Sequence, residues 1–260
     1  MIYLLIYGNG ENIMKLGLTS VTFRPHTIKE VFDYAKRAGV ECIEWGVCNN
    51  HVNILSKERT DEINTLSKEY GIPTSSLGSY CEMMDASELE ANVETAHMLN
   101  APVIRVWPGN VSSADCSDEL YDTIVANTVS MAEMAAKYGI KIGFEFHNNS
   151  LTDTPGSAIK LIKSVNRDNV GLYWQPTSAL SAEENVKIFN MVKPYCVGHL
   201  HIYNYNPELG YLPLADIKEK LITYYDDIKN ENYIAMIEFV KGGSVESLVD
   251  DINTLREVIR

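Results

Sequence analysis

After Met14 the chain alternates between short apolar runs and longer amphipathic stretches. The apolar runs read as strands over 15–22, 42–46, 73–79, 103–109, 141–147, 170–176, 197–204 and 233–240. Between them, stretches such as 27–39, 56–71, 87–100 and 117–139 repeat their apolar residues at three- and four-residue steps, which predicts helices. Several of these open on Ser, Thr or Asp and stop at Gly or Asn, as backbone capping requires. "AGV" at 38–40 and "YGI" at 70–72 and 138–140 each close a helix and open a strand, the turn of a repeating βα unit. Eight strands and eight helices in this length predict a single-domain α/β protein, a (β/α)8 TIM barrel spanning 14–260. A doubly wound open sheet is the alternative, but no glycine-rich GxGxxG loop follows the first strand.

One strand breaks its own pattern. In "KIGFEFHNN", residues 141–149, Ile142, Phe144 and Phe146 alternate as a buried face should, yet Glu145 and His147 occupy the other face. In a barrel that face looks inward, and active groups sit at the C-terminal strand ends. Glu145, Gln175, His201 and Glu238 stand near the ends of strands five to eight, about one βα repeat apart, so they can converge in the barrel mouth. Two carboxylates, an amide oxygen and an imidazole suit one divalent metal ion, Mn²⁺ first, with Mg²⁺, Co²⁺ or Zn²⁺ as alternatives. Four ligand-capable groups on consecutive strands are hard to explain as packing, because unpaired buried charge is costly.

Composition narrows the partners. The 260 residues carry a net charge of -13, with 35 acidic against 22 basic side chains, which excludes a phosphate-neutralising nucleic-acid binder. Five scattered cysteines without a CxxC pair read as thiols of a reducing, cytoplasmic setting. The first 13 residues hold a short apolar run without a basic flank or cleavage site, too short to span a bilayer, so they read as an N-terminal extension outside the fold. No membrane partner is expected.

"GVECIEWG" with His51 following, "SSLGSY" at 75–80, "APVIRVWPG" at 101–109, "FEFHNN", "NVGLYWQP", "GHLHIYN" and "MIEFV" occur in the order and spacing of a known family. From Met14 onward the chain resembles the xylose-isomerase-like TIM-barrel superfamily, within it the sugar phosphate isomerase/epimerase group. The resemblance implies a metal held by Glu145, Gln175, His201 and Glu238, and a small sugar or sugar phosphate as substrate. Related ketose 3-epimerases have Asp where this chain has Gln175, so this ligand set carries one negative charge fewer. Ser178 and Pro207 stand where those epimerases carry a His and an Arg. Substrate contacts are therefore expected from His51, Arg105, Trp107, His147, Trp174 and His199. For Arg105 an internal salt bridge is the competing role, and Glu44 is open between a barrel-floor salt bridge and a second acid.

The reaction implied is proton abstraction next to a carbonyl, with Glu145 and Glu238 as the catalytic pair and the metal stabilising an enediolate. A lyase resembling inosose dehydratases starts with the same proton and is the nearest alternative; a catalytically inactive sugar-binding barrel is another. An endonuclease of the three-zinc type would need more ligands and a basic groove than six histidines and this acidic balance offer. Barrels of this group often pair, so a homo-oligomer is an open expectation.

Overall fold

A computed structural model of the chain describes residues 14–226, 228–229 and 231–259. The expected extension over residues 1–13 lies outside the described residues. Eight parallel strands close into a barrel: β1 (Lys15–Thr19), β2 (Cys42–Gly46), β3 (Thr74–Gly78), β4 (Val103–Val106), β5 (Lys141–Glu145), β6 (Val170–Trp174), β7 (Cys196–Ile202) and, after a small hairpin, β10 (Ile234–Ile237). Each strand pairs with the next in sequence, and β1 closes the ring on β10 through the register Lys15↔Ile234 to Leu18↔Ile237. This is a single (β/α)8 TIM barrel, the architecture that the alternating pattern predicts.

Helices cover the outside: α1 (Ile28–Ala38), α2 (Lys57–Tyr70), α3 (Leu89–Met98), α4 (Asp118–Ala136), α5 (Pro155–Val165), α6 (Ala182–Val192), α7 (Lys218–Tyr225) and α8 (Val245–Val258). Their ends follow the capping chemistry. Thr27 accepts from the Glu30 N–H while Glu30 caps Thr27 in return, and α1 stops at Gly39, whose φ of 74° is left-handed. Thr154 and Ser181 form the same reciprocal box at α5 and α6, while Ser56, Ser117 and Ser244 cap α2, α4 and α8 by accepting one backbone N–H each. The apolar stripes, for example Ile28, Val31, Phe32 and Ala35 of α1, are fully buried against outward strand residues such as Ile43 and Trp45. Each such side chain contributes about 1.5–3 kcal/mol.

Inside the barrel the filling changes character with height. Cys42, Val103, Tyr173, Val197, Ile234 and Met236 form a separate apolar plug. Missing side chains make room for it: a Cβ on Gly143 would lie 3.0 Å from the Tyr173 ring, and one on Gly17 2.6 Å from Met236. Above the plug the inward residues turn polar. The strand boundaries fall short of the expected ones by one to three residues at several ends, because the backbone leaves the ladder to form loops there. The clearest case is β1, which passes at Ser20–Phe23 into a 3-10 turn. The sequence pattern also gave no sign of the hairpin of β8 (Tyr205–Asn206) and β9 (Gly210–Tyr211), since two-residue strands are too short to alternate. Among the described residues no helix is long and apolar enough to cross a membrane.

Candidate active site

The polar layer meets solvent at the C-terminal mouth, in a cavity of about 310 Å³. Glu145 ends β5, Gln175 follows β6, His201 lies on β7 and Glu238 follows β10. Pleating turns all four inward, so closure of the ring brings them together. One ligand atom from each of Glu145, His201 and Glu238 lies within 4.8 Å of the others. Glu145, Gln175 and Glu238 line the cavity, and His201 sits beneath them, fully buried.

Below this cluster runs a buried ion network. Arg105, 2% exposed, donates from Nε to Glu44 Oε1 at 3.1 Å and from Nη1 to Glu145 Oε2. The other Glu44 oxygen accepts from Tyr173 Oη at 2.6 Å and from Ser76 Oγ at 2.9 Å. His201 Nε2 lies 3.3 Å from Glu44 Oε1, and its Nδ1 lies 3.4 Å from Glu238 Oε2 and 3.8 Å from Glu145 Oε1. Glu44 thus takes the barrel-floor salt-bridge role. Gly78 permits it, since a Cβ there would stand 2.8 Å from Glu44 Oε1.

These contacts separate the carboxyls electrostatically. Burial pushes Glu44 up, but the Arg105 and His201 charges outweigh it and hold the group well below its usual range. Burial is likewise overcome at Glu145, chiefly by Arg105, which brings it down to about 2. Glu238 goes the other way: burial raises it, and the Glu145 charge adds to that against the pull of His201. For His201 burial works downward, yet Glu238 and Glu44 lift it to about 10. The protonated imidazole and the Arg105 guanidinium are therefore the two positive charges set against the three carboxyls.

The donor set fits a divalent cation. Gln175 Oε1 is buried and has no hydrogen-bond partner among the described residues, an unsatisfied acceptor on a residue that lines the same cavity as Glu145 and Glu238. Glu145, Gln175, His201 and Glu238 are the residues that would hold the ion, and a metal takes neutral imidazole, so it would replace the His201 proton.

The remaining expected residues divide. Trp107 and His147 line the cavity as a tilted aromatic pair, ring centroids 4.6 Å apart and ring planes 30° apart. Arg105 reaches the cavity wall, but with both carboxylates on its guanidinium. The structure does not bring His51, Trp174 and His199 to this cavity. His51 is buried in the loop after β2, its Nε2 donating to His26 O at 3.1 Å, and burial pulls it down to about 4. Trp174 faces the helices, packed on Phe189 and Tyr224. Pleating requires this, because Tyr173 and Gln175 on either side face inward. His199 lies one pleat below His201, against the Tyr173 ring, with burial holding it near 4.

Sequence reasoning missed Arg24, Tyr80, Tyr203, Tyr205, Tyr211 and Phe239, which complete the cavity wall. Tyr203 follows β7 directly, and Tyr80 and Phe239 stand two residues past β3 and β10, which was a signal; Arg24 and the hairpin residues Tyr205 and Tyr211 come from segments without periodicity.

A closed parallel barrel with acid, amide and imidazole side chains gathered at its C-terminal strand ends is a TIM barrel with its candidate site at the usual face. The profile of the xylose isomerase-like TIM barrel family matches residues 32–220, and the chain belongs to that family. A 3-dehydroshikimate dehydratase from Bacillus anthracis is 25% identical over 208 residues, 74% of this chain and 72% of that protein. The crystal structure of a probable 3-DHS dehydratase from the same organism superposes with a TM-score of 0.76 at 20% identity, covering 94% of this chain and 99% of the other. An E. coli 3-keto-D-glucoside 4-epimerase superposes with a TM-score of 0.72 at 18% identity, covering 94% and 99%.

Proposed function

We propose that the protein is a divalent-metal-dependent isomerase or epimerase of a sugar or sugar phosphate, working by proton abstraction next to a carbonyl. The observation that carries this reading is the convergence of ligand atoms of Glu145, His201 and Glu238 within 4.8 Å of one another, at a cavity that Gln175, with its unsatisfied oxygen, also lines. When bound there, the ion supplies Lewis acidity that stabilises negative charge developing on substrate oxygens. The chain's own residues supply the proton chemistry. Glu145, ion-paired with Arg105, and Glu238, with its raised proton affinity, form the proton-transfer pair: one takes the proton from carbon and the other returns one to the opposite face in an epimerisation. Trp107 and His147 supply aromatic surface in the cavity wall suited to the apolar face of a sugar.

The similarity to a dehydratase favours a second reading, a lyase that removes the same proton and then expels water. Metal content of protein purified without chelators, then Mn²⁺ titration of wild type and Glu145→Gln, tests the site. One ion per chain, weakened in the variant, is expected. Incubation with candidate ketoses in D₂O then reads deuterium entry at carbon. A product that keeps all its atoms supports the isomerase, and one that has lost water supports the lyase. Binding without deuterium entry for any sugar, or full turnover in both Glu145→Gln and Glu238→Gln, would overturn the two-carboxylate scheme.

A further inference from the structure

We infer that Arg24 is the docking point for an acidic group, a carboxylate or a phosphate, carried by the substrate; this rests on the reading of the cavity as a sugar site. The other cations there are already committed. Arg105 is paired with Glu44 and Glu145, and His201 stands among three carboxylates at 3.3–3.8 Å. Arg24 is different. It lines the same cavity, it is exposed, and among the described residues no carboxylate pairs with it. In a chain with 35 acidic side chains, a cavity arginine left without one is out of pattern.

Its position is nevertheless fixed. The Arg24 carbonyl accepts from Asn50 Nδ2 at 2.9 Å, which holds the loop after β1. Its guanidinium carbon lies 5.8 Å from the Tyr80 ring centre and 5.9 Å from that of Phe239, and one N–H donates to the Tyr80 hydroxyl. One donor of the planar five-donor fork is used within the protein, and the rest is available for a planar or tetrahedral oxyanion. Phe239 is held at φ 63°, a left-handed conformation uncommon for a bulky residue, directly after Glu238. Its N–H donates to Thr22 Oγ1 at 3.0 Å, so the backbone that presents Glu238 is tied to the turn that carries Arg24. The two rings and this tie place a preorganised cation on the rim of the cavity whose floor carries the carboxylates.

The test compares three probes of matched shape: glucose, glucuronate and glucose 6-phosphate, titrated calorimetrically into Mn²⁺-supplemented wild type and Arg24→Gln. One of the acids is expected to bind about tenfold or more tighter than glucose, as a charge-assisted contact allows. Arg24→Gln should bring that acid to the affinity of glucose, leaving glucose itself and the thermal midpoint unchanged. Preference for glucuronate identifies a carboxylate, and preference for glucose 6-phosphate a phosphate. The assignment is overturned if no acid binds better than glucose, if the preference survives in Arg24→Gln, or if the variant weakens all three probes alike, the mark of a structural role. Mn²⁺ titration of the same samples separates the two claims. Metal binding without acid preference removes Arg24 alone, whereas acid preference without metal binding removes the metal-dependent function and leaves Arg24 standing.

Discussion

Replacing Arg105 with Met keeps most of the side-chain volume and removes the charge that two carboxylates share. Glu44 and Glu145 are 1% and 4% exposed, so neither can turn to water for compensation. Breaking a buried pair by removing one partner costs about 3–5 kcal/mol. At roughly 2–4 °C per kcal/mol for a domain of this size, the melting temperature should fall by roughly 6–20 °C. The sign with pH follows from the carboxyls. Arg105 holds Glu145 at about 2 against an ordinary 4.5, so the stability it lends is present above 4.5 and lost as pH falls toward 2. Glu44 shifts in the same direction. The gap between wild type and Arg105→Met should therefore be widest at pH 6–7 and narrow below 4.5. Urea unfolding at a series of pH values reads both, and Glu44→Gln in the Arg105→Met background should recover part of the loss by removing one stranded charge. A variant within about 1 kcal/mol of wild type at pH 7, or a gap that does not close on acidification, would refute the claim that Arg105 is the counter-charge of this network.

Gly78→Ala puts a Cβ 2.8 Å from Glu44 Oε1 and 3.0 Å from Arg105 Nη2, and should lower stability by about 1–3 kcal/mol in thermal unfolding. A change below measurement error would mean that the ion pair can shift freely. Asp251 is raised from its ordinary 3.8 to about 6 by burial, despite accepting from the Leu214 N–H at 2.8 Å. The stability linked to its proton is present below 3.8 and lost as pH rises through 6, so wild type should lose ground to Asp251→Asn across pH 4–6; parallel curves would count against it. Deletion of residues 1–13, proposed to lie outside the fold, should leave the thermal midpoint nearly unchanged, and a large drop would show that they pack as structure.

The repeat of strand and helix, the capping residues and the polar ends of strands five to eight were legible in the sequence, because each depends on local periodicity or on spacing by one βα unit. That is why the sequence alone sets Glu145, Gln175, His201 and Glu238 near the ends of four successive barrel strands. The same parity fixes Trp174: with Gln175 facing inward, Trp174 must face the helices. What only the tertiary structure decided is which neighbour each charge meets. Arg105 could have faced a ligand or a carboxylate, and closure of the ring, with glycine at position 78, set it against Glu44 and Glu145. Arg24, Tyr80 and Phe239 come from three segments far apart in the chain, and they meet because β1 pairs with β10 on one side and reaches β3 through β2 on the other. Periodicity constrains a strand against its own two faces; long-range closure of the sheet constrains loops against each other, and no local pattern records it.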